Sequence, residues 1–424
     1  MTKNPAKFKV LIVYPNLPLM LVPSIAVALL TRIMKEQGYE VELFETTHYL
    51  SEENSSSEMR ASMLNVREFD VSEDLGISVK EDLLGDFREK VEVFNPDLML
   101  FSVVEDAFLQ SVSMLKAVQD LNIRHLIGGV FPTYAPERCF EYKEINMIGL
   151  GEGENVIVEV AEAVRLSKPL HNIIGTWSRD SEGVIHRNAK DPLVDINRYP
   201  PDFSLFDETR FYRPMGGKVF KMIPVETFRG CPYSCTYCNS PTQREFSKNN
   251  NLGNFLRRKS MDVLRQEISD YIETYEPGFF YFVDDVFLAR PKSEIFQFCD
   301  MYEEFGLPFW FNTRSESCEP DILARLKEVG CYRISFGIEC GNEQYRQKVL
   351  RRKISNDELI YRFNDIIAKS GIAFSLNVII GMPGETRELV MDTVELIRSI
   401  EGFDALTVSV FTPYHGTVLR DVAI

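Results

Sequence analysis

Three cysteines, Cys231, Cys235 and Cys238, follow one another at C-x3-C-x2-C spacing inside Arg229-Gly-Cys-Pro-Tyr-Ser-Cys-Thr-Tyr-Cys-Asn-Ser240. Thiols grouped this tightly, outside a secreted disulfide framework, point to metal. An iron–sulfur cube normally takes four thiolates. Three would leave one iron without a protein ligand, and an open metal position is where a substrate or cofactor can bind. A structural zinc site is the alternative reading. Zinc favours paired C-x2-C or Cys/His ligands, and no partner pair follows downstream. The apolar stretch Met222–Phe228 just before the run predicts a strand. The thiols then sit in a loop at a strand's C-terminal end, where α/β folds place their chemistry.

Other chemically capable residues also follow predicted strands. Asp284 and Asp285 come after Phe279–Val283, and adjacent carboxylates on an extended segment face opposite sides. One is expected at the site; a helix-start cap is the structural alternative. Arg314 follows Phe309–Asn312 and could clamp a carboxylate in bidentate fashion. Ser335 and Glu339 lie on or after Arg333–Gly337. Asn377 and Gly381 belong to Phe374–Ile380 and its turn, and Tyr414 and His415 follow Ala405–Phe411.

The elements that must carry these residues alternate. In the first part the predicted strands are 8–14, 40–45, 97–102, 124–129 and 147–150, with helices between most of them. That pattern means a parallel, doubly wound sheet. Its carboxyl-end loops are Asn16–Ser24, Ser102–Asp106, Gly128–Thr133 and Gly151–Glu154. Residues 51–75 interrupt the pattern with polar, acidic sequence and are expected as an insertion or mobile loop, with helix possible from Met59 to Glu68. A hairpin turning at Asp180–Gly183 and a proline-rich segment, Asp195–Asp202, form the connection, with His171 and His186 as exposed linker residues. After residue 221 six strand–helix units predict a partial barrel with its site at the C-terminal mouth.

Composition narrows the classes. The 424 residues, 45% apolar, suffice for two domains with sizeable cores. The net charge of −16 argues against a nucleic-acid surface. No leader-like apolar segment opens the chain and no apolar run reaches membrane-spanning length, so no membrane span and a cytoplasmic location are expected. The other cysteines, Cys139, Cys299, Cys318, Cys331 and Cys340, form no close pairs and are expected as buried small hydrophobes.

The cysteine run in this setting resembles the signature of the radical SAM superfamily. In that family three cysteines hold a [4Fe–4S] cluster, S-adenosylmethionine (SAM) chelates the fourth iron, and reductive cleavage gives a 5′-deoxyadenosyl radical. Tyr237 fits the aromatic residue usual before the last cysteine. Leu126-Ile-Gly-Gly-Val-Phe-Pro-Thr133, followed by Gly149-Leu-Gly-Glu-Gly-Glu154, resembles the B12-binding domain that precedes radical SAM domains in one large family. The resemblance covers nearly the whole chain. It implies a Rossmann-like, doubly wound cobalamin-binding domain over 1–170, a linker over 171–220, and a partial (β/α)6 TIM-type barrel over 221–424 whose C-terminal region is short or truncated.

The resemblance also implies roles. Cys231, Cys235 and Cys238 would hold the cluster. Tyr237, Asp284, Asp285, Arg314, Ser335, Glu339, Asn377 and Gly381 would contact SAM, with Glu339 near its ribose. Leu17, Leu19, Ser102, Glu105, Gly128, Gly129, Phe131, Thr133, Gly151 and Glu152 would contact cobalamin. Tyr414 and His415 would lie on the substrate side. The chain departs from the family pattern at Cys340, where serine is usual, and at His415, where proline is commoner. The B12 motif D-x-H-x-x-G is absent, so cobalamin is expected base-off without a histidine ligand. His48 is expected as a surface residue and Met20 as an apolar filler.

The expected activity is methyl transfer to an unactivated carbon of a small molecule, with cobalamin as methyl carrier. An electron donor such as flavodoxin or ferredoxin is implied. The alternatives are ring formation, ring contraction or anaerobic oxidation with the same cofactors, and a non-catalytic cobalamin or SAM sensor. A tRNA methylthiotransferase is disfavoured by the acidic charge.

Overall fold

The computed structural model describes residues 7–49, 71–215 and 218–424. The chain divides into two compact units, residues 1–194 with 198–220, and residues 195–197 with 221–424.

The first unit is built on a seven-stranded sheet. Its strands are β1 (Lys9–Tyr14), β2 (Glu40–Glu45), β3 (Leu98–Ser102), β4 (Arg124–Gly128), β5 (Met147–Gly149), β6 (Thr176–Arg179) and β7 (Ile185–Arg187). The order is β2-β1-β3-β4-β5-β6-β7. β1 to β5 pair in parallel, and β6 and β7 add on antiparallel. The strands are continuous apolar runs because helices cover both faces of such a sheet. Val10, Leu11, Ile12 and Val13 are fully buried. The order 2-1-3 makes a topological switch point between β1 and β3, and the loops after those two strands open beside it.

The first-unit strands fall where the apolar runs predict them. The hairpin differs from its expectation. β6 pairs with β5 from Met147↔Ser178 to Gly149↔Thr176, so it extends the sheet. His186 is part-buried, with Nε2 2.7 Å from Asp180 Oδ2, and its ring centroid lies 5.0 Å from that of His171. Of the expected 51–75 insertion, residues 51–70 lie outside the described residues, and Val71–Leu75 is a short helix.

β8 (Tyr212–Met215) leads into β9 (Lys218–Val225). The second unit continues with a two-residue ladder, β10 (Phe228–Arg229) on β11 (Arg257–Arg258), and then with β12 (Phe279–Phe282), β13 (Phe309–Thr313), β14 (Cys331–Glu339), β15 (Ala373–Ile380) and β16 (Ala405–Val410). β9, β12, β13, β14, β15 and β16 pair in parallel and in sequence order, a half-barrel. Alternation sets its two faces. Phe280, Phe282, Phe309 and Phe311 point outward under the helices and are fully buried, packed with Phe287, Phe298 and Tyr302. Tyr281 and Trp310 point inward and stack at 4.2 Å. The five cysteines outside the central run are all buried thiols.

Candidate functional site

The cysteine loop leaves β9 and is held from several sides. Gly230 has φ +101, and a Cβ there would stand 2.6 Å from the Phe255 carbonyl oxygen, so only glycine lets the chain turn. Arg244, on helix Ser240–Asn249, donates through Nη1 to the carbonyls of Cys231 and Tyr233, each at 3.2 Å, and of Pro232 at 2.5 Å. Its Nη2 donates to Ser234 Oγ at 2.9 Å. Thr236 Oγ1 donates to the Val349 carbonyl at 2.7 Å.

The thiols share one electrostatic environment. Burial first, and then Asp285 and the other two cysteines, push the Cys231 thiol up to about 12. Burial, Asp285 and Cys235 push Cys238 up to about 11. Cys238 Sγ accepts the Ser240 N–H at 3.4 Å. Thiols this reluctant to ionise alone become good ligands once a cationic group compensates the charge and takes the place of the protons. Among the described residues, no three Cys, His, Asp or Glu side chains converge to hold a single metal ion. A cube asks for something different, one thiolate on each of three irons. The donor set, three thiols on one pinned loop, suits that group.

Asp284 and Asp285 divide as opposite-facing neighbours must. Asp284 Oδ1 accepts the N–H groups of Thr227 (2.7 Å) and Phe228 (2.9 Å). Its Oδ2 accepts from Thr227 Oγ1 (2.5 Å) and Arg290 Nη2 (2.6 Å). All four acceptor positions are taken and the side chain is fully buried. Asp284, one of the residues expected at SAM, ties the end of β12 to the segment that enters the cysteine loop. Asp285 faces the thiols. Burial, followed by the Asp284 and Glu226 charges, raises its carboxyl above the ordinary range.

Arg314 Nη1 lies 4.0 Å from Cys235 Sγ, its guanidinium sits 4.0 Å above the Tyr233 ring, and it pairs with Glu316. Ser335, also expected at SAM, is bonded within the chain. Its hydroxyl already accepts from Trp310 Nε1 at 2.9 Å and shares a 2.7 Å bond with Ser375 Oγ, so it belongs to the half-barrel's inner wall. Asn377 Nδ2 donates to the Phe336 carbonyl at 3.3 Å. Gly381, at φ +79, donates its N–H to Glu385 Oε2 at 2.5 Å, which shapes the turn after β15. Glu339 is buried and left-handed at φ +69, with Oε1 3.0 Å from Arg352 Nη1. Tyr414 is partly exposed in the loop after β16, next to His415.

In the first unit, the loops at the carboxyl edge are rigidly built. Arg210 is fully buried and donates to the Leu21 carbonyl at 2.9 Å and to those of Met20 and Val22 at 3.3 Å. Asn16 Nδ2 donates to Met20 O and Thr47 Oγ1. Leu19 is left-handed and donates its N–H to the Thr47 carbonyl. The same edge exposes Leu17, Met20, Val104 and Val130. Ser102 and Glu105 are half-buried after β3.

A Cβ on Gly129 (φ +113) would meet Val103 O at 2.4 Å, so the glycine lets the turn after β4 lie against the β3 exit beside Gly128. Thr133 Oγ1 donates to the Gly129 carbonyl at 2.8 Å and accepts the Gly151 N–H at 3.0 Å, joining the two glycine turns. Glu152 Oε2 accepts the Val194 N–H at 2.9 Å. Phe131, expected at cobalamin, turns its ring inward. It is core, 5% exposed, with its ring 4.4 Å from Phe108.

Sequence reasoning missed Arg244, Arg352, Tyr281 and Trp310. The aromatic pair had a signal, since Tyr281 and Trp310 each stand between two outward phenylalanines, in Phe280–Phe282 and Phe309–Phe311. The arginines had none.

Two family models match the chain, "B12 binding domain" over residues 54–161 and "Radical SAM superfamily" over 225–397. An uncharacterized methyltransferase of Pyrococcus horikoshii is 27% identical over 353 residues, covering 81% of this chain and 73% of that protein. An anaerobic magnesium-protoporphyrin IX monomethyl ester cyclase of Synechocystis is 26% identical over 52% of this chain and 43% of its own length. The radical SAM methyltransferase TsrM of Kitasatospora setae, solved with cobalamin and a [4Fe–4S] cluster bound, superposes with a TM-score of 0.68 at 16% identity, covering 98% of this chain and 74% of TsrM. At that identity the likeness speaks for the fold.

Proposed function

We propose that this chain, a radical SAM protein with an N-terminal B12 binding domain, is a cobalamin-dependent methyltransferase acting on an unactivated carbon of a small molecule. The observation that carries the reading is the cysteine loop at the half-barrel's carboxyl edge, flanked by Asp285 and Arg314. Cys231, Cys235 and Cys238 would hold a [4Fe–4S] cluster. With SAM and cobalamin bound, these groups would supply a 5′-deoxyadenosyl radical and a transferable methyl group.

The chain's own residues would bind and orient. Among the described residues no cation pairs with Asp285, which would gain one from the methionine ammonium of SAM, and this would restore its charge. Arg314 suits the methionine carboxylate. Glu339 suits the ribose hydroxyls, and the glycine turn at Gly381 leaves room for the adenine. In the first unit, Gly128, Gly129, Thr133 and Gly151 form the close-approach surface for the cofactor's nucleotide tail. A small electron-transfer protein would serve as reductant, and no nucleic acid is expected as substrate. The likeness to the cyclase supports a second reading, ring chemistry without methyl transfer. Product mass separates the two, a gain of one methylene against none.

Cobalamin is proposed to bind with its benzimidazole detached and no protein imidazole on cobalt. His48 is the one histidine near the carboxyl edge of the first sheet, but its Nε2 lies 3.3 Å from Thr209 Oγ1. Burial lowers its pKa. His125 sits near the start of β4. The exposed Leu17 and Met20 leave an apolar surface for a lower face without a nitrogen ligand. Electron paramagnetic resonance of bound cob(II)alamin should therefore show no nitrogen superhyperfine triplet. A triplet that disappears in His48→Ala would overturn the assignment.

A further inference from the structure

The pairing of β14 with β15 slips between Gly337 and Glu339, a bulge that skips Ile338 in the register. Bulges of this kind re-aim side chains beside functional sites. Arg352 meets the irregularity directly. Its Nη2 donates to the Gly337 carbonyl at 2.7 Å, and its Nη1 to Glu339 Oε1 at 3.0 Å. The same Nη1 lies 3.3 Å from the Tyr237 hydroxyl, on the residue before Cys238. The side chain is 2% exposed, and its Nε has no hydrogen-bond partner among the described residues.

Glu339 is held in a conformation it would not choose alone. A left-handed φ is uncommon for a residue with a Cβ and carries a cost of order 1–3 kcal/mol. Its carboxylate folds back over Gly337, where an added Cβ would stand 2.0 Å from Oε1. Burial raises the Glu339 carboxyl, and Arg352 is the largest opposing influence. The segment carrying Arg352 is also stitched to the cysteine loop, through Thr236 N–H to Leu350 O at 3.4 Å and Thr236 Oγ1 to Val349 O. One buried cation therefore touches both the loop that carries the thiols and the carboxylate at the end of β14.

We propose that Arg352 is a positioning residue that locks Glu339 in its left-handed, folded-back conformation and links it to Tyr237, so that nucleoside binding is transmitted to the cysteine loop. The inference rests on the reading of this site as a cluster and SAM site. It adds a group that reaches neither the cluster nor SAM except through Tyr237 and Glu339.

The test uses the full chain, reconstituted anaerobically with iron and sulfide. Three quantities are measured: iron per chain, SAM affinity by equilibrium binding, and the change that SAM causes in the reduced cluster's electron paramagnetic resonance spectrum. Arg352→Gln should keep its iron, bind SAM about 10- to 100-fold more weakly, as loss of an outer-shell partner typically does, and lose most of the SAM-induced spectral change. Arg352→Lys should recover part of both. Tyr237→Phe, which removes only the hydroxyl, should keep its iron and show a reduced spectral change. Unchanged affinity and spectrum in Arg352→Gln would overturn the proposal. If that variant does not fold, an unchanged spectral response in Tyr237→Phe overturns it. A wild-type chain that binds no iron or no SAM would instead refute the underlying reading of the site.

Discussion

Replacing Cys235 by alanine is expected to remove the cluster and with it all reductive cleavage of SAM. Reconstituted wild-type chain should carry about four iron and four sulfide; the variant should carry less than about one iron. The same holds for Cys231→Ala and Cys238→Ala, because with three thiolates there is no spare ligand. The loop itself should survive the change. Its shape is set by Arg244 on three successive carbonyls, by the Gly230 turn and by Thr236, none of which uses a thiol. Circular dichroism and thermal melting of the iron-free forms should therefore match. A Cys235→Ala chain that retains iron and releases 5′-deoxyadenosine would show that these thiols are not the ligands.

The second large effect separates two adjacent carboxylates. Asp284→Ala leaves Arg290 buried without its anion and strips the Thr227 and Phe228 N–H groups of their acceptor. Breaking a buried pair from one side costs about 3–5 kcal/mol, which for a unit of this size lowers the melting temperature by roughly 10 °C. Asp285→Asn should behave in the opposite way. Its side chain is exposed and stands beside like charges, so a neutral isostere should change stability by less than about 1 kcal/mol. SAM binding should fall all the same. Equal melting temperatures for Asp284→Ala and wild type would remove Asp284 from its structural role. Unchanged SAM affinity in Asp285→Asn would remove Asp285 from the site.

The pair also shows what a sequence can and cannot tell. That Asp284 and Asp285 face opposite ways follows from extended backbone alone. Which of them is consumed by the scaffold depends on Thr227 and Arg290, the first of which lies 57 residues away. The parallel strands were legible because each is an apolar run closed by a turn. The β6–β7 hairpin was legible as a hairpin but not as part of the sheet, since its pairing depends on the three-residue β5, Met147–Gly149. Phe131 sits within a motif that reads as cofactor-binding, yet its ring turns to Phe108 in the core. Arg352 had no local signal. It stands 13 residues after Glu339 and 115 after Tyr237, and only the folded loop brings a guanidinium to both.

The central claim is that one chain uses cobalamin and a SAM-cleaving cluster together. The most direct measurement takes a single sample of the full chain, reconstituted with iron, sulfide and cobalamin, and supplied with SAM, a low-potential reductant and a turnover substrate. Metal analysis should give about four iron to one cobalt. The reaction mixture should contain both 5′-deoxyadenosine and S-adenosylhomocysteine, with a product heavier by one methylene. A substrate that turns over without cobalt bound, or without S-adenosylhomocysteine and the mass gain, would contradict the account.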